Sequence, residues 1–439
     1  MQLPKVLILN QPFVTNTGGG ITMSNLFSGW DNDKLAVTCL GYLLTKDIDP
    51  EICNNYYQLG SEERKWSFPF NLLSRKYSSG PIKFNDVSKN KVVDESSKSK
   101  SRVGFLNKYM NPILEYTGLV HIITKIILSE KFRNWLDEYN PDVVYAQCSS
   151  RASILFCIAV QNYLKKPFIF HMMDDWPSLI GVKGLMKKSW QRRIDSEFRT
   201  LLNVTDIHLG ISDYMSEAYQ ERYGKDFATF HNPIDLEFWQ KGQKKNYDLS
   251  QNPTILYAGR IGLGIDSALK SIAEAISNVN NELHMSIKFM IQAQSAPSWI
   301  KNYNHVEHKT FVPYEQLPYE FGSADFLILP YDFSPESLAY IKYSMPTKAS
   351  EYMASGAPII IYAPKETALV QYAENNSWAS IVTQQDESAL TIELKKLVLD
   401  KDYRESLATT AKKLAEERHD TKVVAQNFQE IIIKAAQSI

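Results

Sequence analysis

Short apolar runs set between longer helical stretches recur twice along this chain, and that rhythm leaves room for little except parallel βαβ layers. In the first half KVLILN, PDVVYA, PFIFH and DIHLGIS are strand-like, and in the second TILYAGR, MSIKFMIQ, VEHKTFVP, ADFLILPY, APIIIY and WASIV resume the pattern. Several run apolar without alternation, as strands covered by helices on both faces require. Between the two sets QKGQKKNYDLSQNP is polar, holds Gly and Pro and has few apolar residues. A division near Gly242 to Asn252 follows, giving two doubly wound α/β domains over residues 1–245 and 246–419. The length of 439 residues agrees, because one hydrophobic core stops growing well before this size.

Composition removes several function classes. A formal net charge of -1 gives no bulk electrostatic reason to expect nucleic acid. Cys39, Cys53, Cys148 and Cys157 form no CxxC pair and have no His at metal spacing, so reduced, buried thiols are expected rather than a zinc site or disulfide framework. The start MQLPKVLILNQPF has one strand-length apolar run and no signal-peptide architecture, and no window approaches a membrane span. A cytoplasmic location is the expectation, with attachment at the inner face of a membrane left open.

The chemistry concentrates in SMPTKASEYMASG, Ser344 to Gly356, just before a strand. Ser344, Pro346 and Thr347 supply the hydroxyls and fixed φ that open a helix, and Lys348 then points with the free N–H groups toward an anion such as a diphosphate. Glu351 lies three residues on, on the same helix face, where it can accept ribose hydroxyls. An ordinary capped helix with a surface Lys and Glu is the plainer alternative. Arg260 follows the strand TILYAG, placing a permanent cation at the carboxyl edge of the sheet, where open α/β sheets bind ligands. Gly18, Gly19 and Gly20 follow the first strand, and their missing side chains allow close backbone approach by a phosphate or sugar, or simply make a turn. The spacing is not G-x-G-x-x-G, which argues against a dinucleotide site. His171 ends the strand FIF and is followed by Asp174 and Asp175, so an imidazole and two carboxylates gather at one sheet edge. The carboxylates can bind acceptor hydroxyls or cap the helix signalled by Trp176, Pro177 and Ser178.

TGGG, HMMDDWP, ISDYM, HNPIDLEFW, YAGRIG and ADFLILPY, followed by SMPTKASEYMASG, appear in an order that resembles the retaining, family 4-like glycosyltransferases of the GT-B fold. The resemblance covers nearly the whole chain. It implies two Rossmann-like domains facing a central cleft, a last helix of about 420–439 returning to the N-terminal domain, and donor binding by the C-terminal domain. It also implies a nucleotide base near Phe311 to Tyr314, a UDP donor with GDP as the alternative, and His171 beside the reacting sugar. Two positions depart from the family: Ile265 stands where a second cation is usual, and Tyr343 stands where the first of two glutamates is usual.

The expected reaction is glycosyl transfer from a nucleoside diphosphate sugar to a glycan or lipid-linked acceptor in surface polysaccharide or glycoconjugate synthesis, with retention. Arg260 and Lys348 would neutralise the departing diphosphate, while His171 and Asp174 would serve the sugar and acceptor, so no metal and no further cofactor is expected. A nucleotide-sugar epimerase or hydrolase using His171 with Asp174, and a non-catalytic binding module, are the alternatives. One region breaks the βαβ reading. Residues 83–102 hold six Lys or Arg against three Asp or Glu, and the stretch after them mixes Phe105, Tyr109, Ile113, Leu114, Leu119, Ile122, Ile123, Ile126 and Ile127 with lysines. This reads as a core-packed helical pair or, over 83–132, as a basic and apolar surface that meets a membrane.

Overall fold

The computed structural model describes residues 3–15, 17–45, 47–68, 70–72, 76–83, 111–179, 184, 186–262 and 264–437. The chain divides into two compact units. The first comprises Met1–Ile211, Ser216–Phe230 and Ala425–Ile439, and the second Ser212–Met215 and His231–Val424, so Gly242 to Asn252 lie inside the second.

The first unit is built on β1 (Val6–Leu9), β2 (Leu35–Leu40), β3 (Asn55–Leu59), β5 (Gly80–Lys83), β7 (Val143–Ala146), β8 (Phe168–Met172), β9 (Ile207–Gly210) and β10 (Phe227–Thr229). They form one sheet in the order β10-β9-β8-β7-β1-β2-β3-β5, parallel except for β5. A ribbon of β4 (Arg64–Trp66) and β6 (Thr124–Ile126) stands apart. All residues of β1 and β7 are fully buried, as apolar strands flanked by helices should be. Phe428 closes this core with its ring edge-on to Phe27 and Tyr145, at 5.1 and 5.7 Å between centroids.

The second unit holds β11 (Thr254–Ala258), β12 (Lys288–Gln292), β13 (Val306–Lys309), β14 (Phe326–Pro330), β15 (Ile359–Tyr362) and β16 (Ser380–Val382) in the order β13-β12-β11-β14-β15-β16, all parallel. Leu269, Ile272, Ile276 and Val279 project from the Asp266–Leu283 helix onto Ile255, Phe289, Ile291 and Ile328 of the sheet. The order places a topological switch between β11 and β14, so the crevice of this sheet opens at their carboxyl ends.

The expected helical pair after residue 110 is replaced by two short helices, Asn111–Thr117 and Val120–Ile123, and then β6. Gly118, at φ 72°, ends the first of them. Leu114 and Ile123 are buried, whereas Ile113, Leu119, Ile122 and Ile127 are exposed. The basic segment over 83–102, together with Phe105 and Tyr109, falls almost wholly outside the described residues. The four cysteines are buried free thiols.

Candidate active site

The switch point of the second sheet brings two helix N-termini to one edge. The first, opening Asp266–Leu283, is already occupied: the Asp332 carboxylate accepts the Ala268 N–H at 3.0 Å and the Ser267 hydroxyl. A second anion would meet that carboxylate. Ile265 occupies the N-cap position of this helix and packs on the core, so the departure from the family pattern puts an apolar contact where a cation is usual.

The second N-terminus, of Thr347–Ser355, is built differently. Its N-cap residue is Pro346, which supplies no side-chain cap, so the free N–H groups and the positive end of the helix dipole remain available to an anion. Buried Asn232 steadies the approach by donating to the Met345 carbonyl at 3.1 Å. Ser344 donates its hydroxyl to the Tyr340 carbonyl at 3.3 Å, and the Thr347 carbonyl accepts from Ser350 at 3.0 Å. One turn on, the Tyr352 hydroxyl accepts the Ala258 N–H at 3.0 Å, which ties the helix to the end of β11.

That tie sets Lys348 beside Gly259 and Arg260. A Cβ at Gly259 would lie 2.7 Å from Lys348 Nζ and 2.8 Å from the Tyr257 hydroxyl, so the glycine makes the space the ammonium occupies. The Tyr257 hydroxyl donates to the Arg260 carbonyl at 2.5 Å, and the Arg260 side chain is exposed. Burial lowers the Lys348 ammonium below its ordinary value and Arg260 lowers it further, while Glu351 acts in the opposite direction. Burial likewise pushes the Glu351 carboxyl up to about 7, against the pull of Lys348. Two cations and a carboxyl of raised proton affinity thus share a crevice, an arrangement typical of anion-handling sites.

Tyr314 is an aromatic that feels Glu351: burial and then that carboxylate raise its phenol. Its ring stacks on Phe238 at 4.8 Å and 3°, and Asp235 caps the Phe238 helix through the Phe238 N–H at 3.1 Å. Asn232, Asp235 and Phe238 of HNPIDLEFW thereby support this edge. Phe311 lies in the loop after β13 and is half exposed. Tyr343, at the position of the missing glutamate, packs its ring against Tyr214 at 5.4 Å.

In the first unit, Gly18, Gly19 and Gly20 open the Gly18–Leu26 helix after β1, with Thr17 accepting the Gly20 N–H at 3.2 Å. A Cβ at Gly20 would meet Val14 at 2.2 Å, so packing alone requires glycine there. Asp174 is exposed, and its carbonyl accepts the Trp176 N–H at 2.8 Å. Asp175 is buried, accepting from Tyr219 and, at 3.0 Å, from Arg222. Its carboxylate therefore belongs to an internal ion pair. His171 is fully buried at the end of β8, where desolvation pulls its imidazole down to about 3. Its Nδ1 lies 2.8 Å from the Tyr145 hydroxyl, and its buried Nε2 has no hydrogen-bond partner among the described residues. The Gln147 amide nitrogen lies 2.9 Å from the same hydroxyl and 3.2 Å from Met23 Sδ. Sequence reading did not single out Tyr145 or Gln147, although both sit at the carboxyl end of the readable strand PDVVYA. Among the described residues no group of three or more His, Cys, Asp or Glu could hold a metal ion, and no helix is long and apolar enough to cross a membrane.

Residues 252–400 match the family described as glycosyl transferases, group 1. No curated protein matches the chain. Among solved structures, sucrose-phosphate synthase from Thermosynechococcus elongatus is similar at 11% identity and TM-score 0.59, covering 98% of each chain. HepE of Anabaena in complex with UDP is similar at 13% identity and TM-score 0.60, covering 98% of this chain and 100% of that one. WaaG, a glycosyltransferase involved in lipopolysaccharide biosynthesis, is similar at 12% identity and TM-score 0.55, covering 97% and 99%.

Proposed function

The chain has the GT-B fold and its residues 252–400 form a group 1 glycosyl transferase domain, and from that premise we propose that it moves a sugar from a nucleoside diphosphate sugar, UDP before GDP, to a glycan or lipid-linked acceptor with retention of configuration. One observation carries this reading: Lys348, Arg260 and an uncapped helix N-terminus converge at the switch point of the second sheet, beside Glu351. Negative charge grows on a diphosphate as it leaves, and fixed cations and backbone dipoles aimed at it lower the barrier without rearranging. The same groups can meet that charge without a metal. Glu351 holds the ribose hydroxyls, Ser344 and Thr347 line the phosphate end, and the backbone beside Phe311 meets the base. HepE, described in complex with UDP, supports the choice of base.

From the first unit this reading assigns the Gly18–Gly20 helix start and His171 to the sugar and Asp174 to the acceptor. Asp175, held by Arg222, acts as structural support. The epimerase or hydrolase alternative asks His171 for acid–base work, and burial, which lowers the proton affinity of its imidazole, makes it a weak base. A peripheral membrane contact belongs to the same proposal. Phe68, Ile113, Tyr116, Leu119, Ile122 and Met186 are exposed large apolar side chains of this unit. Exposed Lys65 and Lys125 oppose one another across the β4–β6 ribbon, and exposed Lys188 lies in the first turn of a helix whose dipole disfavours cations. An anionic lipid surface would relieve both arrangements. Incubation with a panel of UDP- and GDP-sugars and glycan acceptors tests the function. Acceptor-dependent release of nucleoside diphosphate is expected, and release that needs no acceptor would instead mark a hydrolase.

A further inference from the structure

We infer that Tyr145 and Gln147 are positioning residues that fix the tautomer of His171, leaving its Nε2–H as a donor for an oxygen of the bound sugar, an inference that rests on the glycosyl-transfer reading above. The argument is a count of hydrogens. Met23 Sδ can only accept, so the Gln147 atom 3.2 Å from it is the amide nitrogen, and that nitrogen donates to the Tyr145 oxygen at 2.9 Å. A phenol has one hydrogen. With its oxygen already accepting from Gln147, Tyr145 donates that hydrogen to the remaining partner, His171 Nδ1, at 2.8 Å. Nδ1 is then a lone pair, and the ring proton of the neutral imidazole sits on Nε2.

Nε2 is buried and without a partner among the described residues, and an unsatisfied buried donor costs about 1–3 kcal/mol. A group held in that state needs an acceptor, and a sugar hydroxyl oxygen provides one. The opposite tautomer would leave a lone pair at Nε2, suited to receiving a proton rather than giving a hydrogen bond. Gln147 and Tyr145 thus decide whether His171 Nε2 donates or accepts a hydrogen bond. The titratable groups around the relay are Tyr145 and Cys157, both pushed upward by burial and neutral near pH 7, with Cys148 in contact with Cys157.

The test uses the full-length protein labelled with 15N histidine, with the His171 signals assigned by comparison with His171→Asn. Wild type is expected to show protonated Nε2 and unprotonated Nδ1. Gln147→Glu replaces the donor with a carboxylate that accepts the Tyr145 hydrogen, so the Tyr145 oxygen must accept from His171 and the proton moves to Nδ1. Acidification through the titration of the introduced carboxyl gives it a hydrogen to donate, and the wild-type tautomer should return. A protonated Nδ1 in wild type overturns the inference, as does an unchanged tautomer in folded Gln147→Glu at every pH. Should that variant not fold, the wild-type tautomer alone decides. Titration of the same sample with UDP and then GDP keeps the two claims apart: absence of binding to both removes the glycosyl-transfer reading whatever the tautomer, and the wrong tautomer removes the positioning role whatever the nucleotides do.

Discussion

Gly259→Ala probes the diphosphate site without replacing a charged group. Gly259 is not among the left-handed positions of the chain, so an added methyl costs contact rather than backbone strain. That methyl would stand 2.7 Å from Lys348 Nζ, 3.1 Å from Lys348 Cε and 2.8 Å from the Tyr257 hydroxyl. Tyr257 is anchored to the Arg260 carbonyl, and the lysine tail is flexible, so the lysine gives way and its ammonium leaves the crevice. A charge-assisted hydrogen bond from an ammonium to phosphate contributes about 1.5–3 kcal/mol. UDP affinity is therefore expected to fall roughly 10- to 150-fold, while uridine, which has no phosphate, holds within about threefold. Calorimetric titration of UDP and uridine into both proteins reads the difference, with thermal unfolding as the check on folding. An equal loss for UDP and uridine, or no loss for UDP in a folded variant, would refute the placement of Lys348 on the diphosphate.

Glu351 gives the second unit a pH dependence of definite sign. Its carboxyl is pushed up to about 7 from 4.5 by burial, so the folded protein holds that proton more tightly than the unfolded chain does. The resulting stability is complete below pH 4.5 and is lost as pH rises through 7, a swing of about 3 kcal/mol at most. Glu351→Gln should abolish that swing in urea unfolding of the second unit between pH 5 and 8.5, and parallel pH curves for the two proteins would contradict the assignment. On the other unit, wild type should sediment with phosphatidylglycerol vesicles and little with phosphatidylcholine, and Leu119→Asp with Ile122→Asp should release it. Failure of wild type to bind phosphatidylglycerol would remove the membrane contact.

β11, β14 and β15 of the second sheet were legible because each is a largely buried apolar run between clear turn signals. The helix carrying Lys348 was legible for a related reason, since Pro346 and Gly356 mark its two ends locally. β2 and β3 were not singled out. NYYQL in β3 is short, Tyr-rich and polar at its first residue, and its burial comes from neighbours β2 and β5 rather than from its own pattern. The residues after 110 misled for the converse reason: their apolar content suggested core, yet Gly118 breaks the helix, and Ile122 on the short helix after it and Ile127 just past β6 are exposed. Asp175 could not be assigned from its own segment, because Arg222 stands 47 positions away. The Tyr145–His171 contact is likewise a product of register. Parallel pairing sets Tyr145 opposite Ile169, and His171 follows two residues later on the same face of β8.

The central claim is that Lys348 and the helix it begins hold a diphosphate, and calorimetry of UDP against uridine, with and without magnesium, on wild type and Lys348→Ala tests it most directly. The account predicts magnesium-independent UDP binding well above that of uridine, with the gap closing in Lys348→Ala. Equal affinity for UDP and uridine in wild type, or a gap that Lys348→Ala leaves intact, would contradict it.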